Sequence, residues 1–237
     1  MDDIRKVRRR RLTERLGALR DRTRVLELEL VNYTSDYYRT CIFGSARIRP
    51  DDDMYKLTLR IGELLGELGV DVLTGGGPGL MEAANKGVLS GKSTSGTKSK
   101  SFGITIELNK FEEEPSEHLD IKHHHRRFSS RLDDFMRLSN SVIIVPGGIG
   151  TLLELYFTWQ LVQVGHMAKR PLILVGSEFW KGLMSWMRDV VAKDKLVSIG
   201  DLDFVSIVDT PEEAMKIIEE DVKRFHAEKL ASASTKE

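Results

Sequence analysis

The feature that most constrains the fold is an alternation between short apolar runs rich in β-branched residues and longer segments with helical spacing, which begins at residue 40. The apolar runs predict six strands, at residues 40–44, 70–75, 102–108, 141–147, 171–176 and 204–209. Most of them are followed by a helical pattern, and a strand–helix–strand repeat closes through right-handed crossovers. The chain is therefore predicted to form a Rossmann-like α/β fold, a doubly wound, mainly parallel sheet with helices on both faces.

Two of the predicted strands, VIIV and LILV, are apolar throughout, at residues 142–145 and 172–175. A continuous apolar run is typical of a parallel strand that is buried on both faces of the sheet. In sheets of this kind, ligands bind beyond the carboxyl ends of the strands. The loops that follow the strands are therefore where functional residues are expected.

Length and composition favour one globular domain with tails, because 237 residues with 41% hydrophobic content can bury one sizeable core. We expect a helical extension over residues 1–38, a Rossmann-like domain over residues 39–228 and a flexible tail over residues 229–237. The polar, Ser/Lys-rich stretch 91–101 is expected to be a mobile linker.

The charge balance argues against several functional classes. The chain has 36 basic and 36 acidic residues, so its formal net charge of zero gives no reason to expect a nucleic-acid or membrane partner. Cys41 is the only cysteine, which excludes an intrachain disulfide framework, and no apolar stretch reaches the roughly 18 residues that span a bilayer. The N-terminus lacks the apolar core of a signal peptide, so we expect a cytoplasmic protein.

Glycine-rich turns follow two of the predicted strands. The first is GGGPG, with glycines at 75, 76, 77 and 79 before a helix that begins near Leu80; the second is PGGIGT, with glycines at 147, 148 and 150 before Thr151. Each turn leads into a helix N-terminus, whose unpaired N–H groups and positive dipole end suit a phosphate. Either turn alone could be purely structural, but the two together indicate a ligand with a phosphate group. Neither turn is a Walker A motif, and neither is a dinucleotide fingerprint after the first strand.

A carboxylate, Glu154, follows Thr151 by three residues and so lies nearly one helical turn further along. This spacing leaves two interpretations open. Glu154 could form a capping box with Thr151, or it could face the ligand. In the second case, a carboxylate held just beyond a bound phosphate could stabilise the positive charge that develops on a ribose during cleavage at the anomeric carbon.

The elements GGGPGLMEAANKG and PGGIGTLLE, with Arg131 in the segment before the second, resemble the Lonely Guy (LOG) family of cytokinin riboside 5'-monophosphate phosphoribohydrolases over roughly residues 40 to 190. Many bacterial members of that family carry the label lysine decarboxylase. The resemblance implies hydrolysis of the N-glycosidic bond of a nucleoside 5'-monophosphate, of the AMP or cytokinin riboside type, to a free base and ribose 5-phosphate. No cofactor and no metal is expected, and the resemblance implies a homodimer or a higher homo-oligomer.

The resemblance also implies roles for particular residues. Arg131 and Glu154 correspond to the catalytic pair, and Leu132 departs from the family, which typically has lysine there. The 5'-phosphate would be bound by the second turn, at Gly147, Gly148, Gly150 and Thr151. The rest of the nucleotide pocket would be lined by Gly44, Ser45, Gly76, Gly77, Gly79 and Met81.

Three further interpretations concern an alternative function, a metal site and a subunit interface. The same superfamily fold includes molybdenum-cofactor carriers, so the chain could bind a nucleotide or a phosphorylated pterin without cleaving it. The run His123–His125 could suggest a metal, but adjacent residues of an extended segment point to alternate faces, and no Cys or further His completes a ligand set. The apolar helix 152–164 is the candidate surface for a two-fold dimer.

Overall fold

The computed structural model describes residues 8, 11–17, 19, 23, 26, 37–106 and 116–234. The chain divides into two compact units, Met1–Tyr37 and Tyr38–Glu237. The residues described between 8 and 26 are helical. Apart from Tyr37 and Tyr38, the other residues of the expected N-terminal extension lie outside the described part of the chain, and all of the elements below belong to the second unit.

The sheet is parallel throughout and confirms the predicted Rossmann-like α/β fold. Its strand order is β4-β3-β2-β1-β5-β6-β7. Within the described residues, the seven strands are β1 Arg39–Phe43, β2 Asp71–Thr74, β3 Ser101–Ile106, β4 Ile121–His125, β5 Ser141–Ile144, β6 Leu172–Val175 and β7 Val205–Val208.

Strand β4 was not among the six predicted strands. Its sequence, IKHHH, contains one aliphatic residue and three histidines, and its side chains alternate between half-buried and exposed. The strand pairs only with β3 and lies at the edge of the sheet. An edge strand can form with a polar sequence because it is not covered on both faces, so the pattern that predicts buried strands misses it.

Helices cover both faces of the sheet. Within the described residues, the α-helices of the second unit are α1 Asp53–Leu68, α2 Leu80–Ser95, α3 Phe128–Leu138, α4 Ile149–Gln163, α5 Ser177–Trp186, α6 Ile199–Leu202 and α7 Pro211–Ser234, and a π-helix, Met187–Ala192, follows α5. Helices α1, α2 and α7 contribute to one apolar core, and α3, α4 and α5 contribute to the other. Strand β1 serves both cores, because the side chain of Ile42 faces the first while those of Cys41 and Phe43 face the second.

The stretch 91–101 is not the mobile linker that its composition suggested. Helix α2 continues through it to Ser95, and the side-chain hydroxyls of Thr97 and Ser99 both donate to the carbonyl oxygen of Gly66 on α1. Gly91 lies where a Cβ atom would overlap the backbone carbonyl of Glu63 on α1. Gly91 is needed for close contact between α1 and α2. Composition alone had suggested instead that this glycine makes the segment flexible.

Two further findings concern the C-terminal helix and the length of the helices. Helix α7 runs to Ser234 and so continues past residue 228, where the tail was expected to begin, while residues 235–237 lie outside the described part. In the part of the chain that the structure describes, each helix is too short or too polar to cross a bilayer.

The strand order identifies where a ligand would bind. From β1 the chain proceeds through β2 and β3 to β4 on one side, and it then returns to β5 on the other side of β1. The loops after β1 and β5 therefore lead to opposite faces of the sheet and leave a crevice between them. In open parallel sheets, this switch point at the carboxyl ends of the strands is the usual ligand site.

Candidate active site

Three loops meet at this switch point and are joined by backbone hydrogen bonds. The N–H of Ser45, in the loop after β1, donates to the carbonyl oxygen of Pro146 after β5 at 3.0 Å. The N–H of Leu80, at the start of α2, donates to the carbonyl oxygen of Ser45 at 2.9 Å. The GSAR, GGGPG and PGGIGT segments are thus held together at one rim of the sheet.

The two glycine turns have different surroundings, which their sequences did not indicate. In the first turn, Gly76 and Gly79 have φ of +73° and +70°, a region that other residues rarely adopt. A Cβ atom at Gly79 would overlap the carbonyl oxygen of Ser45 and lie 2.7 Å from the carbonyl carbon of Ala46. The first turn therefore packs against the loop after β1 at Gly79, and this contact explains the glycine at that position.

The second turn is open. Helix α4 begins at Ile149 with Gly148 as its N-cap, and a Cβ atom at Gly148 or Gly150 would have no heavy atom within 4 Å. The side chain of Ile149 is 84% exposed. The first amides of α4 thus lie beside free space, and a phosphate could reach them without displacing protein atoms.

Thr151 is the third residue of α4 and is buried. Its side chain fills the space where Gly147 would carry a Cβ atom. Because the helix begins two residues earlier than Thr151, Glu154 lies in the second turn of α4 and too far from the N-cap for a capping box. The structural alternative that the sequence left open for Glu154 is therefore wrong.

Arg131 is held in place from several directions. Its Nε donates to the carbonyl oxygen of Ile104 on β3 at 2.8 Å, and its Nη2 donates to the carbonyl oxygen of Gly75 after β2 at 3.4 Å. Its guanidinium carbon lies 5.2 Å from the ring centroid of Phe135, one turn further along α3. A Cβ atom at Gly75 would lie 2.5 Å from Nη2 of Arg131 and 2.7 Å from the sulfur of Met81, so this glycine leaves room for the guanidinium group.

Glu154 and Arg131 approach each other across the crevice. Oε1 of Glu154 lies 3.9 Å from Nη1 of Arg131, and the two side chains are 13% and 14% exposed. Burial raises the pKa of Glu154 from 4.5 to about 7, and the positive charge of Arg131 opposes this rise. A carboxyl group with this pKa exists in both protonation states near neutral pH, as general acid–base catalysis requires.

Cys41 was not predicted to have any relation to this site. Its thiol is buried on β1, and its pKa is raised well above the ordinary value, first by burial and then by the charge of Glu154. The thiol therefore stays neutral and is not a nucleophile. It contributes an apolar wall on the side of the sheet that Glu154 occupies.

Leu132 and His125, which were noted in the sequence, make contacts that explain their residue types. Leu132, where the LOG family typically has lysine, is only 8% exposed. An apolar side chain suits that position, since a lysine would have to bury its charge. His125 contacts Ser130 and Asp134 on α3.

A cavity of about 520 Å³ lies on a different face of α4. It is lined on α4 by Tyr156, Trp159, Gln160 and Gln163, and across from α4 by Trp186, Met187, Val191, Val197, Asp201 and Leu202. Helical spacing places the α4 residues of this lining on the side opposite Glu154. This cavity is therefore separate from the crevice that contains the Arg131–Glu154 pair.

Comparison with known proteins identifies the family of the chain. The model of a family described as "Possible lysine decarboxylase" matches residues 81–218. The chain belongs to this family. It is the family to which the LOG resemblance pointed, and the match includes both Arg131 and Glu154.

A curated relative carries an enzyme name. The chain is 31% identical over 136 residues to the pyrimidine/purine nucleotide 5'-monophosphate nucleosidase of Escherichia coli K12, which is 53% of this chain and 28% of the relative. The matched region is thus under a third of the length of that nucleosidase.

Solved structures confirm the fold. The molybdenum cofactor binding protein of Rippkaea orientalis has a TM-score of 0.56 at 21% identity, over 78% of this chain and 98% of that chain. The molybdenum cofactor carrier protein of Chlamydomonas reinhardtii has a TM-score of 0.54 at 18% identity, over 78% and 99% of the two chains. At these identities the similarity concerns the fold alone.

Proposed function

We propose that this protein hydrolyses the N-glycosidic bond of a nucleoside 5'-monophosphate and releases a free base and ribose 5-phosphate. The observation that carries the proposal is the pair of Arg131 and Glu154, 3.9 Å apart and largely buried, beside the open N-terminus of α4. The family match and the name of the Escherichia coli relative support the same class of reaction.

The 5'-phosphate would bind at the second glycine turn. The first amides of α4, at Ile149, Gly150 and Thr151, lie where the helix dipole favours an anion. The turn itself is exposed, and Gly148 and Gly150 leave open space around it. Since Glu154 lies one turn deeper in the same helix, a phosphate at the N-terminus would leave the ribose near its carboxyl group.

In the reaction, the bond between C1′ and the base nitrogen breaks, and its electron pair leaves with the base. A water oxygen then bonds to C1′ and gives up one proton, and the base takes up one proton. Ionised Glu154 would stabilise the positive charge on the ribose and accept the proton of the attacking water. Arg131, held by two carbonyl groups, would orient the substrate and stabilise the departing base.

The test is a panel of nucleoside 5'-monophosphates, with released base and ribose 5-phosphate separated by chromatography. Glu154→Gln keeps the shape of the side chain and removes its charge, so we expect base release to fall by about 100-fold or more while nucleotide binding is retained. Release by this variant at the wild-type rate would show that Glu154 takes no part in the reaction.

A second candidate is a carrier that binds a phosphorylated pterin or a nucleotide without cleaving it. The similarity in fold to the two molybdenum cofactor proteins favours this alternative. A carrier of an anionic ligand gains nothing from a buried carboxyl group beside its phosphate site. Tight binding of a nucleotide or pterin that is recovered intact would favour the carrier over the hydrolase.

We also propose that two copies of the chain associate through α4. Its exposed apolar residues Ile149, Leu153 and Tyr156 recur every three or four positions and form one stripe with the exposed C-cap residue Val164. Trp186, in the wall of the adjacent cavity, is 51% exposed. A surface of this kind is typical of a subunit interface. Light scattering after size exclusion should give a dimer for the wild type and a monomer for Leu153→Glu; a monomeric wild type would refute the proposal.

A further inference from the structure

The turn of α3 that carries Arg131 is attached to the edge strand β4 by the side chain of His125. Nδ1 of the imidazole lies 3.1 Å from Oγ of Ser130, and Nε2 lies 3.1 Å from Oδ2 of Asp134. Ser130 immediately precedes Arg131, and Asp134 follows it by three residues. The imidazole therefore bridges one turn of the helix, and Arg131 lies within that turn.

The strand pair that holds this bridge also holds the guanidinium group. His125 is paired with Ile106 in the parallel register of β4 with β3. Arg131 donates to the carbonyl oxygen of Ile104, two residues earlier on the same β3 strand. Helix α3 is thus tied to the β3–β4 pair at two points, once through the imidazole and once through Arg131 itself. The guanidinium group is held in addition by the carbonyl oxygen of Gly75 and the ring of Phe135, whereas the imidazole acts on the helical turn that carries Arg131.

We propose that His125 is a positioning residue, which fixes the helical turn of Arg131 so that the guanidinium group remains beside Glu154. The effect of His125 on catalysis rests on the proposed nucleotide hydrolysis. The effect of His125 on the position of Arg131 relative to Glu154 does not. Neither His125 nor its two partners forms part of the crevice pair, and the pattern IKHHH gave no indication of this role.

A substitution at His125 should leave the fold intact. The side chains of His125 and Asp134 are 15% and 19% exposed, so neither lies in the apolar core. Asp134 keeps a second partner, because Nη2 of Arg137 donates to its other carboxylate oxygen at 2.6 Å. Removing the imidazole therefore leaves no buried charge without a partner at Asp134. The expected effect is a looser first turn of α3.

The primary test measures the pKa of Glu154 by carbon-13 NMR of the glutamate side-chain carboxyl groups, with Glu154→Gln used to assign the resonance. His125→Leu removes both hydrogen bonds, and His125→Gln retains an amide that can make one or both. His124→Leu is the matched control, since it removes a contact of 3.2 Å with Oγ1 of Thr105 from the neighbouring, exposed position of β4.

The positive charge of Arg131 lowers the pKa of Glu154. Displacing Arg131 should therefore raise that pKa in His125→Leu, raise it less in His125→Gln and leave it unchanged in His124→Leu. In an Arg131→Ala background, His125→Leu should produce no further rise. An unchanged pKa in His125→Leu would overturn the proposal, and so would an equal rise with and without Arg131.

A second readout is the rate of base release. His125→Leu should lower kcat by about tenfold or more with KM less affected, because a small displacement of a catalytic group is costly. Thermal unfolding of the same variants should show similar midpoints, which excludes general destabilisation as the cause. If the wild type releases no base, the proposed hydrolysis fails, while the NMR titration still decides whether His125 positions Arg131.

Discussion

Replacing Gly75 by alanine would test the position of Arg131 with a single methyl group. The added Cβ atom would lie 2.5 Å from Nη2 of Arg131 and 2.7 Å from the sulfur of Met81, whereas ordinary contacts begin at 3.4 Å. Gly75 does not have positive φ, so the change introduces no backbone strain. The methionine can rotate away, but the guanidinium group is fixed by its hydrogen bond to Ile104 at 2.8 Å.

The size of the effect follows from these distances. To reach ordinary contact, the guanidinium group must retreat by about 0.9 Å. Its hydrogen bond to the carbonyl oxygen of Gly75, already 3.4 Å long, would then break. Misplacement of a catalytic group by about 1 Å can cost 100-fold in rate, which corresponds to about 2.7 kcal/mol of transition-state stabilisation. We expect Gly75→Ala to lower kcat by 10- to 100-fold, on the order of that estimate.

The assay is base release from a nucleoside 5'-monophosphate, with kcat and KM determined separately. Gly182→Ala is the control, because a Cβ atom there meets no heavy atom within 4 Å and the residue lies inside α5. This control should retain wild-type kcat and gain slightly in stability. A kcat of Gly75→Ala within about twofold of the wild type would show, against this expectation, that Arg131 tolerates the displacement.

Three further predictions concern stability and reactivity. The pKa of Glu154 is raised to about 7, so protonated Glu154 contributes its full stability to the fold below pH 4.5, and this contribution is lost as pH rises through 7. Glu154→Gln does not titrate, so between about pH 5 and 8 it should become more stable relative to the wild type. Urea unfolding should show a difference of up to about 3 kcal/mol. Gly91→Ala should lower the free energy of unfolding by about 1–3 kcal/mol or more, because the new methyl overlaps the carbonyl of Glu63; an unchanged urea midpoint would contradict the close packing of α1 and α2. Cys41 is fully buried, so a thiol reagent should label it only as the protein unfolds; rapid labelling of the native protein would contradict its position.

Much of the fold could be predicted from the sequence because two of its central strands are so apolar that they must be buried on both faces of the sheet. The runs at 142–145 and 172–175 are apolar at every position, and only a strand covered on both faces accommodates such a run. The edge strand β4 was harder to predict, because IKHHH satisfies its partly exposed environment with polar side chains. The stretch 91–101 was misjudged because Gly91 serves close packing, and composition does not separate packing from flexibility.

The candidate site was predictable in its parts and not in its arrangement. The two glycine turns, Arg131 and Glu154 could all be found from motifs, and the structure brings the pair to 3.9 Å. The sequence did not show that the first turn is packed and the second is open, because this difference depends on the contact between Ser45 and Gly79. Contacts of this kind come from tertiary packing of distant segments. For the same reason, nothing in the sequence linked His125 to the turn that contains Arg131.

In the proposed hydrolysis, the amides of α4 bind a phosphate while Glu154 and Arg131 act on the attached ribose. Phosphorus-31 NMR of the wild-type protein with a nucleoside 5'-monophosphate in excess decides between cleavage and binding alone. We expect the nucleotide resonance to decline and the resonance of ribose 5-phosphate to grow in equal amount, with base released in the same proportion. A nucleotide resonance that broadens on binding and persists undiminished would contradict it.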